Sequence, residues 1–155
     1  MKNVVRNLSL VALIVLVAAS ASAQNTNKRF GRWKIKSDAP PPTSNIMTYE
    51  PFGAKGMKVT VESVNAKGEK TAWWYTTDFD GKEMPVTGQD NAMTSVRVIN
   101  DRVNEIINKR NGKVTQVLTN VLSPDGDTIG VIYMRDDGTG KTNNVTFATY
   151  ERIKE

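Results

Sequence analysis

The stretch from Met57 to Phe79, MKVTVESVNAKGEKTAWWYTTDF, decides the fold class of this chain. Its first half alternates apolar residues, Met57, Val59 and Val61, with polar ones, and this period of two is typical of a half-buried β-strand. Ala66-Lys67-Gly68 is a turn signal, and a second segment rich in Trp, Tyr and Thr follows it. The stretch therefore predicts two strands joined by a tight turn.

The same succession of strand-like segments and turn signals continues along the chain. Pairs such as Asp80-Gly81 and Asn111-Gly112 favour tight hairpins because Gly and Asn tolerate positive φ. Strands at intervals of about 8–12 residues indicate an all-β sandwich or barrel, and we predict a single antiparallel β-barrel of about eight to ten strands. The predicted strands are Trp33–Ser37, Ile46–Glu50, Met57–Val64, Thr71–Phe79, Glu83–Thr87, Thr94–Ile99, Val103–Lys109, Val114–Leu122, Thr128–Met134 and Asn143–Ile153.

Residues 1–23 have the pattern of a cleavable signal peptide. Lys2 and Arg6 form a basic start, and an apolar run follows from Leu8 to Ala19. Ala21-Ser22-Ala23 supplies the small residues that precede a cleavage site, so we predict cleavage before Gln24 and one domain over residues 24–155. The apolar run is too short to span a bilayer, so we expect no transmembrane anchor after cleavage and a periplasmic or extracellular protein.

The amino-acid composition excludes several kinds of catalytic and metal-binding site. The chain has no histidine and no cysteine, which removes the usual general base, the commonest metal ligand and thiol nucleophiles. Turns such as Asp125-Gly126-Asp127 carry oxygens but lack the complete loop of a strong Ca²⁺ site. We therefore predict no catalytic residue, no metal and no cofactor.

The charge balance of the expected mature chain is only mildly basic. Residues 24–155 hold 19 basic and 16 acidic side chains, a net charge of +3, which does not indicate a nucleic-acid partner. The densest basic cluster is Lys28-Arg29 with Arg32, Lys34 and Lys36. We interpret this cluster as a solvated tail and edge strand, and the alternative is a site for a polyanion or a membrane surface.

Both ends of the predicted barrel carry residues that suggest a family. Gly31-Arg32-Trp33-Lys34 opens the first strand with a Gly-x-Trp motif, and Tyr150-Glu151-Arg152-Ile153 closes the last. With the segments Asp80–Gly88 and Ser123–Gly126, the chain resembles a group of exported bacterial lipocalin-like proteins in the calycin superfamily, which includes lipocalins and fatty-acid-binding proteins. The resemblance covers essentially the whole mature chain. It implies that Trp33 plugs the closed end of a barrel beneath Arg152, with Gly31 opening the strand.

The chain departs from the fatty-acid-binding branch at two places. That branch holds the ligand carboxylate with an Arg-x-Tyr motif on the last strand, where this chain has Tyr150 but Ala148 at the arginine position. The branch also has a two-helix lid, where this chain has the link Pro40-Pro41-Pro42. Arg97 or Arg135 could supply a buried cation instead, but we expect both to be exposed because arginine is seldom buried unpaired.

The aromatic segment Trp73-Trp74-Tyr75 is the starting point for a candidate pocket. Neighbouring strand residues face opposite ways, so Trp73 and Tyr75 share one face with Phe79, and Trp74 takes the other. If the first face points inward, it lines a packed core or a pocket. The candidate pocket residues are Trp73, Tyr75, Phe79, Val96, Val98, Ile132, Met134, Val145, Phe147 and Tyr150.

The sequence is compatible with three functions, and each of them requires a different structural feature. The first is non-catalytic binding of a small hydrophobic or amphipathic ligand, which requires a cavity of roughly several hundred Å³ in an exported barrel. The alternative is a structural or protein-interaction barrel of the cell envelope, with a filled interior and an exposed apolar patch around Trp74. The third hypothesis is a hydrolase or isomerase, which has less support in the sequence and requires two converging carboxylates. The sequence identifies neither the ligand nor the oligomeric state.

Overall fold

The computed structural model describes residues 26–154, which form ten antiparallel strands and no helix. The strands are β1 (Gly31–Ile35), β2 (Ser44–Phe52), β3 (Gly56–Val64), β4 (Lys70–Thr77), β5 (Asp80–Pro85), β6 (Ala92–Asn100), β7 (Val103–Arg110), β8 (Lys113–Leu122), β9 (Thr128–Asp136) and β10 (Thr142–Arg152). All ten predicted strands are present, with ends that differ from the prediction by at most three residues. The all-β barrel is confirmed.

The predicted signal peptide, residues 1–23, lies outside the described residues. Within residues 26–154, no helix is present that could cross a membrane.

One sheet contains all ten strands, in the order β4-β3-β2-β1-β10-β9-β8-β7-β6-β5. Strands that follow one another in the chain pair as antiparallel neighbours, with the exception of β4 and β5, and β1 pairs with β10. The two end strands, β4 and β5, meet through a single bridge beside β5, where the backbones of Trp74 and Thr87 exchange hydrogen bonds of 3.0 and 2.9 Å. The sheet is therefore a nearly closed barrel with a seam between β4 and β5.

Gly88 allows the chain to approach closely at this seam. Its φ is +89°, in the region that favours glycine, and a Cβ there would lie 2.6 Å from the carbonyl oxygen of Ala72 on β4. A side chain at this position would push the chain beyond β5 away from β4. The closure of the barrel thus depends on a residue without a side chain.

The two ends of the barrel differ. The link between β1 and β2, residues 36–43, contains the three prolines and joins the strands at one end, which we call the mouth. At the opposite, closed end, large apolar side chains fill the barrel, and Trp33, Leu122 and Ile129 are at most 2% exposed. The core therefore lies toward the closed end and leaves the mouth half for a site.

Arg152 covers the plug of the closed end. Its guanidinium carbon lies 4.1 Å from the centre of the Trp33 ring, and the indole Nε1 donates to the carbonyl oxygen of Arg29 at 2.8 Å. The guanidinium donates to the backbone carbonyl oxygens of Lys28, Phe30 and Gly126. Gly31 has a φ of +126°, and a Cβ there would lie 2.9 Å from the same guanidinium. The geometry implied by the resemblance is thus present.

Candidate ligand-binding site

A cavity of about 470 Å³ lies inside the mouth half of the barrel. Side chains from eight strands line it, and on most of them every second residue contributes, because alternate strand residues point to the same face. On β2, for example, Asn45, Met47 and Tyr49 face the cavity. The volume falls within the range of about 300–1,000 Å³ typical of small-molecule sites.

All four tyrosines of the chain line this cavity. The hydroxyl groups of Tyr133 and Tyr150 are 3.2 Å apart and share a hydrogen bond. The hydroxyl of Tyr49 accepts a hydrogen bond of 3.2 Å from Nδ2 of Asn120. Tyr75 is only 5% exposed, and its hydroxyl makes no hydrogen bond to any of the described residues. The cavity thus presents a cluster of phenols, and the hydroxyl of one of them, Tyr75, makes no hydrogen bond to the described residues.

Phenols are neutral at physiological pH, and burial moves the ionisation of these four to still higher pH. It raises the pKa of Tyr49 from 10.0 to about 12, although the hydrogen bond from Asn120 works in the opposite direction. Burial also raises the pKa of Tyr75, Tyr133 and Tyr150. At physiological pH all four hydroxyls can therefore donate as well as accept hydrogen bonds.

A buried guanidinium connects to the cavity through Asn120. Arg29 is 3% exposed, and its Nε donates to Oδ1 of Asn120 at 3.2 Å, while a terminal nitrogen donates to the carbonyl oxygen of Arg102 at 2.6 Å. Burial lowers the pKa of Arg29. Because Asn120 donates in turn to Tyr49, one relay runs from the buried cation to the cavity wall.

The interpretation of the basic cluster around Lys28 was therefore wrong on two points. Arg29 is not part of a solvated tail, because the chain before β1 packs under the barrel and there supplies the carbonyl oxygen that accepts from the Trp33 indole. β1 is not an edge strand, because it pairs with β2 on one side and β10 on the other. The edge strands are β4 and β5.

Amide side chains form the polar part of the wall. Nδ2 of Asn45 donates to Oγ of Ser63 at 2.7 Å, but its Oδ1 is buried with no hydrogen-bond partner among the described residues. Nδ2 of Asn108 donates to Oε1 of Gln116 at 3.1 Å. Buried polar atoms are usually satisfied, so Asn45 Oδ1 and the Tyr75 hydroxyl are groups that a bound molecule could satisfy.

The aromatic segment on β4 has the orientation that strand alternation suggests. Trp73 and Tyr75 face the cavity, with ring centres 6.2 Å apart and planes inclined by 14°. Trp74 faces outward, is 38% exposed, and lies 4.9 Å from Nζ of Lys58. Two stacked rings thus form one wall of the cavity.

The other predicted pocket residues divide into two groups. Tyr150 lines the cavity, and Phe147 lies at its wall, but Phe147 is 75% exposed because the alternation along β10 turns its side chain outward. Ile132 and Met134 do not line it, because Val131, Tyr133 and Arg135 are the inward residues of β9. Val145 does not line it either and is 51% exposed.

Three further predicted residues lie away from the cavity. Val96 is 2% exposed, but it belongs to the packed core and does not line the cavity. Val98 is 47% exposed next to the register shift between Val98 and Asn100 on β6. Phe79 follows the end of β4 in a turn with a φ of +62°, so the alternation from Trp73 does not extend to it, and it packs against the core from outside the cavity.

The described residues lack the features that a purely structural barrel and a hydrolase would each require. The cavity contradicts the filled interior that a purely structural barrel requires. The most exposed large apolar side chain is Phe147 on β10, and not Trp74. Within the part of the chain that the structure describes, the cavity lining contains no Asp or Glu, so the converging carboxylates of a hydrolase are not found there.

Sequence reasoning missed part of the site. Tyr49, Tyr133, Asn45 and Asn120 line the cavity, and none of them was among the candidates. One signal could have found them, since amides and tyrosines lie four residues apart, and so on one face, within strands, as do Asn45 and Tyr49 or Gln116 and Asn120. Arg97 and Arg135 are both exposed as expected, but Arg135 lines the cavity at the mouth.

No protein-family model and no curated protein sequence matches this chain. Solved structures do match. The crystal structure of wild-type fluorescent protein UnaG aligns with a TM-score of 0.56 and 16% identity, over 81% of this chain and 98% of that chain. Two UnaG variants with single substitutions align with TM-scores of 0.57 and 0.56, at 16% and 17% identity, over 83% of this chain and 98% or 99% of theirs. The chain therefore shares the β-barrel fold of these fluorescent proteins.

Proposed function

We propose that this protein binds one small hydrophobic or amphipathic molecule inside its barrel and does not transform it. The observation that carries the proposal is the tyrosine-lined cavity of about 470 Å³. Small closed barrels can hold one ligand in their interior. A cavity of this size with buried polar atoms reduces stability unless something occupies it, so its presence argues for an occupant.

The lining favours a ligand with an apolar body and a few hydrogen-bonding groups. Trp73, Tyr75 and Val131 supply aromatic and aliphatic surface. Oδ1 of Asn45 is a buried acceptor without a partner among residues 26–154, and the Tyr75 hydroxyl is a donor at the cavity wall that makes no hydrogen bond to those residues. A ligand that satisfies both gains affinity and specificity, because the unbound protein carries the desolvation cost of both groups.

Fluorescence titration of the folded barrel with phenylnaphthylamine, an uncharged probe of apolar sites, tests this proposal. We expect saturable, one-to-one binding that lipids and hydrophobic metabolites displace. Ala148→Phe adds a ring to the cavity wall and should abolish binding, and Ala148→Leu should weaken it. Thr149→Phe is the matched control, because the adjacent residue of β10 is exposed on the outer face. Absence of binding, or equal loss in both Phe variants, would contradict the proposal.

We also propose that the protein acts after export, in the periplasm or outside the cell. The pattern of residues 1–23 supports this step. Expression of the full chain in a bacterial host, followed by fractionation and mass measurement, tests it. We expect a product that begins at Gln24 outside the cytoplasm, and an uncleaved cytoplasmic product would be contrary evidence.

One observation favours the second candidate function, contact with another protein. Phe147 and Val145 project from the outer face of β10 with 75% and 51% of their surfaces exposed. Exposed apolar groups of this kind occur at interaction sites. Light scattering of the wild type and of Phe147→Ser tests this alternative. An assembly that the substitution dissolves would support it, and a monomer in both cases would oppose it.

A further inference from the structure

A second space of about 440 Å³ adjoins the tyrosine-lined cavity at the mouth, and we call it the vestibule. It shares Trp73, Asn108, Gln116 and Arg135 with the cavity, so the two spaces border each other at these four side chains. The side chains that line the two spaces differ in kind. Three of the vestibule's lining side chains are basic, whereas Arg135 is the one basic side chain in the cavity lining among the described residues, which otherwise consists mainly of phenols, amides and apolar groups.

Two guanidinium groups give the vestibule a positive charge. Arg135 donates to Oγ1 of Thr146 at 2.9 Å and lies 5.6 Å from the centre of the Tyr133 ring. Arg110 donates to Oε1 of Gln89 at 3.3 Å. Neither forms a salt bridge with a carboxylate of the described residues, and the vestibule lining in that part of the chain contains no Asp or Glu.

The other basic groups nearby are already engaged. Lys109 lines the vestibule but forms an ion pair with Glu83. Arg29, which lies behind the cavity wall, is bonded to Asn120 and to a backbone carbonyl, and it does not line the cavity. Arg135 is therefore the one basic residue in the cavity lining described here, and it lies at the mouth.

An anion deep in the cavity would be poorly stabilised. Around Tyr75 and Tyr150 the wall offers only neutral hydroxyl, amide and apolar groups. Taking a carboxylate or sulfonate out of water without a paired charge is strongly unfavourable. At the vestibule the same group keeps access to water and meets two guanidiniums, which bind planar and tetrahedral anions well.

We propose that the ligand is an anionic amphiphile that lies with its charged head in the vestibule, against Arg135 and Arg110, and its apolar body in the cavity. This inference rests on the proposed function and adds to it the charge and orientation of the ligand. The apolar end enters first and reaches Tyr75, while the head remains at the mouth. The head can be a carboxylate, a sulfonate or a phosphate ester, since all three share the chemistry that guanidinium recognises.

Two probes with the same body separate the charge effect from binding itself. Anilinonaphthalene sulfonate carries an anionic sulfonate, and phenylnaphthylamine is its uncharged parent. We expect Arg135→Gln to weaken sulfonate binding about tenfold and to change the affinity of the neutral probe by less than about twofold. Raising the salt concentration should weaken only the sulfonate. Arg135→Lys should retain part of the sulfonate affinity because it keeps the charge.

Arg97→Gln is the matched control. It makes the same change of charge on the outer surface, where the Arg97 side chain is 64% exposed and paired with Glu105, and should leave both affinities unchanged. If both probes bind and Arg135→Gln affects them equally or not at all, the head-out orientation is overturned while the proposed function stands. If neither probe binds the folded barrel, the proposed function fails and this inference with it.

Discussion

The guanidinium of Arg152 lies 4.1 Å from the centre of the Trp33 ring, and the two residues face each other in the β1–β10 pairing. This contact joins the first strand to the last and covers the plug of the closed end. Because β1 and β10 are far apart in the chain, their pairing is what turns a series of hairpins into a barrel. A cation–π contact in a partly buried setting contributes about 0.5–2 kcal/mol.

We expect Trp33→Ala to lower the free energy of unfolding by about 3–5 kcal/mol, because it removes a fully buried indole and leaves a cavity. Urea unfolding followed by circular dichroism measures the change. Trp74→Ala is the control, since Trp74 is 38% exposed on the outer face and should cost only about 1 kcal/mol. Similar losses in the two variants would refute the plug assignment.

Tyr75→Phe should raise the free energy of unfolding by about 1 kcal/mol and weaken ligand binding. The substitution removes, from a residue that is only 5% exposed, a hydroxyl that makes no hydrogen bond to residues 26–154, and with it part of a desolvation cost. Tyr150→Phe should do the opposite to stability, because it leaves the Tyr133 hydroxyl without its partner at 3.2 Å. Urea unfolding and probe titration of both variants test the contrast. A destabilised Tyr75→Phe would show that the hydroxyl is hydrogen-bonded in solution.

Stability should fall as the pH rises above about 10. In the unfolded chain tyrosines ionise near pH 10, whereas burial raises the pKa of Tyr49 in the folded protein to about 12. The unfolded state therefore loses its protons first, and the stabilisation present below pH 10 is lost as the pH rises through the folded pKa. Each such tyrosine contributes a slope of about 1.4 kcal/mol per pH unit in this window.

Urea unfolding at a series of alkaline pH values measures this slope, and tyrosinate absorbance reports the ionisation directly. Tyr49→Phe should show a shallower decline than the wild type, because one buried phenol is absent. If the wild-type tyrosines titrate near pH 10 while the protein stays folded, the burial of the phenol cluster is wrong.

Gly88→Ala should open the seam between β4 and β5. Its Cβ would lie 2.6 Å from the carbonyl oxygen of Ala72, and its φ of +89° is strained for any residue with a side chain. We expect a loss of more than about 2 kcal/mol of stability and faster hydrogen exchange at Trp74 and Thr87.

Gly138→Ala is the control that separates the effect of the close approach at the seam from the effect of backbone strain. Gly138 has a similar φ of +84°, but a Cβ there would contact nothing within 4 Å. It should therefore cost only about 1–2 kcal/mol for the backbone and leave the seam closed. Equal effects of the two substitutions would show that the contact with Ala72 is unimportant.

Local pattern was sufficient for the strands and for part of the site. The alternation in Met57–Val64 and the tight turn at Gly112 predicted where strands begin and end, because period and turn chemistry act between near neighbours. The turn predicted at Asp80-Gly81 was wrong, because both residues lie inside β5 at a register shift. The same alternation separated Trp73 and Tyr75, which face the cavity, from Trp74, which does not. It did so because those residues lie within one regular strand.

Where the strand was irregular or its inward face unknown, the same reasoning failed. Phe79 lies beyond the end of β4, and Val98 lies next to a register shift, so neither follows the alternation of the residues before it. On β9 and β10 the inward set is Val131, Tyr133 and Ala148, although Ile132, Met134 and Val145 are as apolar. A barrel with a polar cavity does not reserve its inner face for apolar side chains, so hydrophobicity could not identify that face.

The sequence by itself determined the strands and most of the turns, since each depends on local backbone preference. The Trp33–Arg152 pair of the closed end was expected only from the family resemblance. The tertiary structure alone decided which side chains meet. Tyr49, Tyr75, Tyr133 and Tyr150 lie on four different strands, and Arg29 reaches Asn120 across 91 residues of chain. These contacts depend on the register and closure of the whole sheet, and a one-residue shift in pairing would turn each side chain to the opposite face.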